Sequence, residues 1–234
     1  MIVVITGANR GIGKSIAETL AGEGHHLILC SRTAHELEML RTELLHQYPD
    51  IRIQVHAFDL TDRHAISAFA ARVLDEPGRI DVLINNAGYY EPGKIVDETP
   101  EKYDQVLRIN LDAPYFLTKE FLPAMIEARS GHVINMCSVS SFQAFQNGGS
   151  YSIAKHALHG FGKTLREEVR EYGIRVTNIL PGATWTDSWA GAELPKDRLI
   201  SARNIAQVVS TAIRLDANAV LEDVVIRPIK GDLP

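Results

Sequence analysis

The chain is poor in several features that mark whole classes of protein. It contains two cysteines in 234 residues, Cys30 and Cys137, and each follows an apolar run typical of a buried strand. We therefore expect two buried thiols rather than a disulfide. Its apolar runs, such as Ile2–Ile5 and Val82–Ile84, are short against the roughly 20 residues that a membrane span needs. Met1 leads into a predicted strand without a charged leader, so the protein is expected to be cytoplasmic.

The chain also lacks a basic surplus and a metal-binding pattern. It has 24 Lys and Arg against 29 Asp and Glu, a net charge of −5 and a pI near 6.0, with no massed charges. This excludes the electrostatic signature of a nucleic-acid-binding protein. His156 and His159 lie three apart on a predicted helix, but no third ligand stands at a matching spacing, which favours a core or interface role. We therefore expect a small-molecule partner, and neither nucleic acid, membrane nor metal.

Strand-like and helix-like patterns alternate along the whole chain. Strands are predicted near 2–6, 26–31, 51–57, 80–85, 131–137, 174–180 and 222–227, and helices near 12–23, 33–47, 62–75, 100–128, 151–171 and 203–214. This alternation is typical of α/β proteins in which helices cover both faces of a doubly wound parallel sheet. There is no linker-like break, so residues 1–234 are expected to form one domain. The stretch 183–203 follows a strand and has no clear periodicity, and it is interpreted as a substrate lid.

A glycine-rich turn joins the first predicted strand to the first predicted helix. Gly7, Gly11 and Gly13 would let the backbone turn tightly and approach a pyrophosphate at the positive end of the helix. By itself such a turn also occurs without a nucleotide. The strand before it and the helix after it favour a dinucleotide site.

The end of the second strand indicates which dinucleotide is bound. An NAD site of this kind usually has an acidic residue there, but this chain has Ser31 and Arg32, with no carboxylate to repel a 2′-phosphate. Arg32 and, from the glycine turn, Arg10 can bind that phosphate. The sequence therefore predicts NADPH in preference to NADH. The alternative is that both arginines are solvated surface residues.

Tyr151 and Lys155 form a second motif, 13 residues downstream of Ser138. Residues i and i+4 share one face of a helix, so the phenol and the ammonium are expected to point into one cleft. A nearby cation favours the phenolate. We therefore predict that Tyr151 exchanges protons near neutral pH.

Together these motifs carry a family resemblance. In chain order they are Thr6-Gly-Ala-Asn-Arg-Gly-Ile-Gly13, Asp59-Leu60, Asn85-Asn-Ala-Gly88, Asn110, Ser138, Tyr151-Ser-Ile-Ala-Lys155 and Pro181-Gly182. In this order they resemble the short-chain dehydrogenases/reductases along nearly the whole chain. The resemblance implies a single-domain Rossmann fold with a seven-stranded parallel sheet, an NADP(H) cofactor, and hydride transfer between NADP(H) and a small ketone or alcohol.

The resemblance also implies roles for individual residues. Tyr151 would donate a proton to the carbonyl oxygen, and Ser138 would hold that oxygen by a hydrogen bond. Lys155 would bind the nicotinamide ribose and depress the pKa of Tyr151, while Asn110 would position a water in the proton relay. Asp59 would bond the adenine ring. The expected cofactor-binding residues are Gly7, Asn9, Arg10, Gly11, Ile12, Gly13, Ser31, Arg32, Asp59, Leu60, Asn86, Ala87, Gly88, Tyr151, Lys155, Pro181, Gly182, Thr184 and Thr186.

The substrate is less well defined. Three segments are similar to bacterial sepiapterin reductase-like members of the family: Cys30-Ser-Arg-Thr33, Pro181-Gly-Ala-Thr-Trp-Thr-Asp-Ser-Trp189 and Val225-Ile-Arg-Pro-Ile-Lys-Gly-Asp232. This implies a carbonyl on a pterin side chain or a small dicarbonyl as substrate. Flat apolar surfaces for a planar ring would come from aromatic residues. The alternative is that these residues pack the lid or a subunit contact. The expected substrate residues are Ser140, Phe145, Trp185 and Trp189, with Phe142 nearby and with Asp187 or Asp232 as a partner for the ring's amino group.

Two other functions remain open. A 3-oxoacyl-[acyl-carrier-protein] reductase has the same catalytic residues, although the tail Glu222-Asp-Val-Val-Ile-Arg-Pro228 lacks that group's Asp-Gly-Gly ending and the acid-rich stretch 167–171 is unsuited to an acidic carrier. The third hypothesis is a regulator that binds NADPH without turnover. In relatives the helices near 100–128 and 151–171 form the main subunit contact, so the resemblance implies a homodimer or homotetramer.

Overall fold

Residues 1–76, 79–186, 195 and 198–232 are described by the computed structural model. The strands in this part of the chain are β1 Ile2–Thr6, β2 His26–Ser31, β3 Ile53–Ala57, β4 Val82–Asn85, β5 Gly131–Met136, β6 Ile174–Pro181, β7 Thr184–Trp185, β8 Ile200–Ser201 and β9 Asp223–Ile226. Seven of them form one parallel sheet in the order β3-β2-β1-β4-β5-β6-β9, and β7 pairs with β8 in a separate ribbon. The seven predicted strands and the parallel α/β fold class are confirmed. Part of the predicted lid, including Asp187 and Trp189, lies outside the described residues.

The helices occupy the predicted intervals. They are α1 Gly11–Gly22, α2 Ala34–Gln47, α3 Arg63–Asp75, α4 Pro100–Leu107, α5 Ala113–Ala128, α6 Gly149–Val169 and α7 Ala202–Arg214, with 3-10 turns at Ile95–Asp97, Val139–Ser141 and Arg170–Tyr172. Asp62 caps α3 by accepting hydrogen bonds from the amides of His64 and Ala65. No helix of the described residues is long and apolar enough to cross a membrane.

The apolar residues of each strand divide between two faces of the sheet. In β1, Val3 and Ile5 pack into a cluster with residues of α1, α2 and α7, whereas Val4 packs into a second cluster with residues of α3, α5 and α6. Successive side chains of a strand point to opposite faces. A strand that is apolar at every position therefore requires helices on both faces, and this explains the doubly wound arrangement.

The strand order determines where a binding crevice forms. The chain passes from β1 through β2 to β3 on one side, and then returns to β4 on the other side of β1. Connections leaving two neighbouring strands in opposite directions open a crevice at the carboxyl ends of those strands. The glycine turn follows β1 and the Asn-Asn-Ala-Gly segment follows β4, so both motifs lie at this edge.

The predicted helix at 100–128 is wrong in one respect, because a π-helical turn at Arg108–Asp112 separates α4 from α5. The side-chain amide of Asn110 donates to the carbonyl of Val106 at 3.0 Å, where a backbone N–H would otherwise donate. Pro114 has no N–H with which to continue the α-helical pattern. Such turns occur often at functional sites, and this one contains Asn110.

A ladder of polar side chains crosses four strands on the face covered by α6. Asn85, Asn135, Asn178 and Asp223 are aligned on β4, β5, β6 and β9. Each asparagine donates its side-chain amide to the next residue, at 3.0, 3.2 and 3.0 Å. A Cβ on Gly162 would lie 2.0 Å from the Asn178 oxygen, so α6 packs closely over this amide ladder. The ladder fixes the register of the strands whose ends carry the site.

Candidate active site

The turn after β1 has a backbone that only glycine fits. Gly7 and Gly11 have φ of +63° and +55°, a region that side-chain-bearing residues rarely adopt. A Cβ on Gly13 would lie 2.2 Å from the carbonyl oxygen of Gly7. The side-chain amide of Asn86 donates to the carbonyls of Thr6 at 2.8 Å and Gly7 at 3.2 Å, which joins this turn to the end of β4.

A cleft of about 630 Å³ opens at the carboxyl ends of the strands. Its walls come from the turn after β1, the end of β2 and the segments that follow β4, β5 and β6. Every expected cofactor-binding residue lines it except Asp59. The Asp59 carboxylate accepts hydrogen bonds from the amide and hydroxyl of Thr61 at 2.8 and 2.9 Å, while its neighbours Phe58 and Leu60 reach the cleft.

The two arginines expected at a 2′-phosphate both line the cleft, together with Ser31. Sequence reasoning missed Glu36, which also lines it from the first turn of α2 and accepts a hydrogen bond from the side-chain amide of Asn9. The expectation that no carboxylate stands there is therefore wrong. The spacing of four residues between Arg32 and Glu36, across the start of a predicted helix, was a usable signal for it.

Ser138, Tyr151 and Lys155 come together on the opposite wall of the cleft. Lys155 is 3% exposed, and its ammonium donates to the Met136 carbonyl at the end of β5 at 2.8 Å. The same nitrogen lies 5.6 Å from the centroid of the Tyr151 ring. Ser138 caps a 3-10 turn, with its hydroxyl accepting from the amide of Ser140 at 3.1 Å. The end of β5 therefore holds both the serine and the lysine.

The proton affinities of these groups differ from the expectation. Burial raises the pKa of Tyr151 to about 12, and interaction with the Ser138 hydroxyl only partly counteracts this rise. Burial likewise lowers the pKa of Lys155 to about 8. The expected depression of the Tyr151 pKa is wrong for this structure, because the cost of burying a phenolate exceeds the stabilisation that the Ser138 hydroxyl gives it. At neutral pH Tyr151 is a protonated phenol, which is the form that donates a proton.

Asn110 does not line the cleft. It is 0% exposed and lies behind Gly88, because a Cβ on Gly88 would lie 3.2 Å from the Asn110 side-chain oxygen and 3.7 Å from the Lys155 nitrogen. Its amide donates to the carbonyl of Tyr89 at 2.8 Å. Asn110 thus fixes the segment that follows β4 beside Lys155.

The expected substrate residues are only partly brought together. Ser140 and Phe145 line the cleft, but Trp185 does not. In the two-residue strand β7, Thr184 is 7% exposed and lines the cleft, so Trp185 points to the other side and is 44% exposed. Trp189 lies outside the described residues. Phe142 also lies outside the cleft, where it is exposed beside the Arg227 guanidinium.

Besides Phe58, two adjacent tyrosines of the cleft were missed. Tyr89 and Tyr90 line it directly after the Asn-Asn-Ala-Gly segment, and the Tyr90 ring meets the Tyr151 ring edge-on at 4.9 Å between centroids. Their position at the end of a strand was a signal that sequence reasoning had available. Asp232 lines the same region and pairs with Arg227. Its other oxygen, Oδ1, is buried without a hydrogen-bond partner among the described residues.

Comparisons with known proteins agree with this geometry. A family model described as short chain dehydrogenase matches residues 1–196. The sepiapterin reductase of Chlorobaculum tepidum is 30% identical over 240 residues, which cover 99% of this chain and 98% of that protein. Dehydrogenase/reductase SDR family member 7B of Bos taurus is 40% identical over 191 residues, covering 80% of this chain and 58% of that protein. The crystal structure of a metagenomic short-chain oxidoreductase in complex with NADP is 33% identical, with a TM-score of 0.86 and coverage of 97% and 96% of the two chains. Because the family model matches most of its length, the chain belongs to the short-chain dehydrogenase family.

Proposed function

We propose that this oxidoreductase is an NADPH-dependent carbonyl reductase. The observation that carries the proposal is that Ser138, Tyr151 and Lys155 line the same cleft as the glycine turn. A carbonyl reduction needs a hydride source, a proton source and a group that polarises the oxygen. One cleft here offers a dinucleotide cradle, a phenol and a serine hydroxyl.

The residues at the glycine turn fit a dinucleotide. At Gly13 the backbone approaches Gly7 so closely that any side chain would collide with it, so the turn is tight, and a pyrophosphate would meet the backbone amides at the start of α1. Arg10 and Arg32, at the same end of the cleft, would bind the 2′-phosphate. The NADP bound to the metagenomic relative supports this choice. When bound, NADPH supplies the hydride.

The protein groups then handle the carbonyl oxygen and its proton. The hydroxyls of Ser138 and Tyr151 would donate hydrogen bonds to the oxygen, and Tyr151 would transfer its proton there as negative charge develops. A pKa of about 12 keeps that proton on Tyr151 until charge develops. The Lys155 ammonium, fixed by the Met136 carbonyl, would stabilise the resulting phenolate and hold the nicotinamide ribose.

The fall in reductase activity at alkaline pH is expected to follow the deprotonation of the Lys155 ammonium. Burial lowers its pKa to about 8, whereas that of Tyr151 is about 12. The kcat/KM for carbonyl reduction should therefore fall as pH rises through about 8, since the ammonium is the effective form. The measurement is a profile from about pH 6 to about pH 10 at saturating NADPH. In Lys155→Arg, whose guanidinium stays charged, the fall near pH 8 should be absent. A wild-type profile that is flat through this range contradicts the assignment.

Asp232 supports a substrate with hydrogen-bond donors, such as the amino-pyrimidine edge of a pterin. The Asp232 carboxylate lines the cleft and can accept hydrogen bonds, and Phe145, which also lines the cleft, offers a flat apolar surface. Similarity to a sepiapterin reductase over 99% of the chain also favours a pterin side-chain carbonyl or a small dicarbonyl.

A substrate panel tests this proposal. Sepiapterin, a small aliphatic diketone and a 3-oxoacyl thioester are compared by the rate of NADPH oxidation, which is followed by absorbance at about 340 nm. Sepiapterin is expected to have the highest kcat/KM. In Asp232→Asn its KM should rise about tenfold, since the hydrogen bond loses the carboxylate charge that strengthens it, while the diketone, which has no donor, keeps its KM. Preference for the thioester would instead select an acyl-carrier-protein reductase.

The proposed assembly is a homodimer or homotetramer that uses α5 and α6. Both helices present exposed apolar residues, with Tyr115 on α5 and Ile153 on α6. Burial of such residues against a second copy would remove apolar surface from water.

A further inference from the structure

A carboxylate from a distant segment reaches the first turn of the helix that carries Tyr151. Glu98 follows the 3-10 turn Ile95–Asp97, and its side chain is 7% exposed. Its two oxygens accept from the backbone amide of Ser150 at 3.2 and 3.0 Å, and one of them accepts from the Ser150 hydroxyl at 3.0 Å. Ser150 immediately precedes Tyr151 and is 52 residues away from Glu98 in the chain.

The bonds of Glu98 satisfy a specific need of α6. The first amides of a helix have no acceptor within the helix, and the helix dipole makes that end positive. Gly148, the N-cap residue of α6, makes no side-chain capping bond. Glu98 therefore supplies from outside both the acceptor and the negative charge that a local cap normally provides.

The backbone around Ser150 is shaped to receive the carboxylate. Gly149 has φ of +45°, and a Cβ there would lie 2.2 Å from a Glu98 oxygen and 2.8 Å from the carbonyl of Gly93. The amide of Gly93 donates to the carbonyl of Asn147 at 2.9 Å. The segment that contains Glu98 is thus joined to the start of α6 by backbone as well as side-chain bonds.

The segment before Glu98 also forms a wall of the cleft. Tyr90 lines the cleft and contacts the Tyr151 ring. Lys102 lies 3.7 Å from a Glu98 oxygen and donates to the carbonyl of Pro92 at 3.0 Å, which holds the segment in one shape. Tyr151 is therefore fixed from both sides, by Glu98 through Ser150 and by the bond of Lys155 to the Met136 carbonyl.

We propose that Glu98 is a positioning residue that fixes the proton donor Tyr151 by anchoring the first turn of α6 at Ser150. The role rests on the proposed carbonyl reductase activity. Tyr151 needs a fixed distance to the carbonyl oxygen, and a displacement of about 1 Å in a reacting group can cost about a hundredfold in rate. Glu98 does not line the cleft and so touches neither substrate nor cofactor.

Glu98→Gln tests this role with little change of shape. Glutamine keeps one acceptor oxygen but loses the charge, so kcat for carbonyl reduction should fall about tenfold, and Glu98→Ala should lower it further. The KM for NADPH should stay within about twofold of wild type, because the glycine turn is unchanged. Asp62→Ala is the matched control for Glu98→Ala, since it removes the capping carboxylate of α3, outside the cleft. It should lower the melting temperature and leave kcat unchanged.

Hydrogen exchange of the Ser150 amide gives a readout that does not need turnover. In Glu98→Ala this amide should exchange at least about tenfold faster than in wild type, while the amides of α3 keep their rates. Unchanged exchange overturns the proposal, and so does a kcat equal to wild type in Glu98→Ala. A parallel loss of kcat in Asp62→Ala also overturns it, because the effect would then reflect stability alone. A wild-type protein that reduces no carbonyl refutes the proposed function instead, and exchange alone then decides whether Glu98 anchors the turn.

Discussion

Replacing Tyr151 with phenylalanine is expected to lower kcat for carbonyl reduction by roughly a thousandfold, within the range by which positioned proton donors accelerate reactions. Phenylalanine keeps the ring and its edge-on contact with Tyr90, but it removes the hydroxyl that we propose as the proton donor. NADPH binding should persist, because the glycine turn and Lys155 are unchanged. The measurements are NADPH oxidation under saturating carbonyl and a separate titration of NADPH fluorescence.

Tyr172→Phe is the matched control for this change. It removes one phenol from the 3-10 turn that follows α6, outside the cleft and beside Arg129. Its kcat should equal that of the wild type. Substantial turnover in Tyr151→Phe, with NADPH binding intact, would mean that another group supplies the proton. Loss of both turnover and NADPH binding would indicate a damaged fold and require a thermal unfolding measurement.

Removing Arg32 is expected to reduce the preference for NADPH over NADH by about thirtyfold. The guanidinium lines the cleft at the end of β2, and charge-assisted hydrogen bonds contribute about 1.5 to 3 kcal/mol, equivalent to roughly tenfold to a hundredfold in affinity. The loss should appear in the KM for NADPH, while the KM for NADH changes little. The measurement is kcat/KM for both cofactors in wild type and Arg32→Ala.

Two further variants sharpen the cofactor test. Arg52→Ala removes an exposed arginine just before β3, at the amino ends of the strands and so away from the cleft at their carboxyl ends. It should leave the cofactor ratio unchanged. Glu36→Gln removes a negative charge from the cleft and should increase the preference for NADPH. An unchanged ratio in Arg32→Ala would show that the phosphate contacts come from elsewhere.

The sequence was informative wherever the signal is local or periodic. Continuous apolar runs such as Ile2–Ile5 indicated buried parallel strands, and glycines at a strand-to-helix junction indicated a turn that the structure confirms with a positive φ at Gly7 and Gly11. Motifs such as Tyr151 and Lys155 are spaced by one helical turn. Their shared face therefore follows from the period of the helix alone.

Features that depend on tertiary packing could not be predicted from the sequence. Nothing in the chain pairs Glu98 with Ser150, because 52 residues separate them and only the folded sheet brings them together. The outward orientation of Trp185 depends on the register of a two-residue ribbon, and a strand of two residues is too short to show a hydrophobic pattern in the sequence. The pKa of Tyr151 depends on the balance between burial and nearby charge, and burial cannot be judged before the cleft is known.

The amide ladder of Asn85, Asn135, Asn178 and Asp223 has a consequence for how this sheet can change during evolution. Replacing Asn135 alone with an apolar residue would leave the Asn85 amide with only its bond to Thr118, and the Asn178 oxygen with only a weak bond from the Cys137 thiol. After that loss, a second replacement at Asn178 or Asn85 costs less than it would in the intact ladder. The effects of these substitutions on stability are thus expected to be non-additive, so that neighbouring positions of the ladder are exchanged together at lower cost than one at a time.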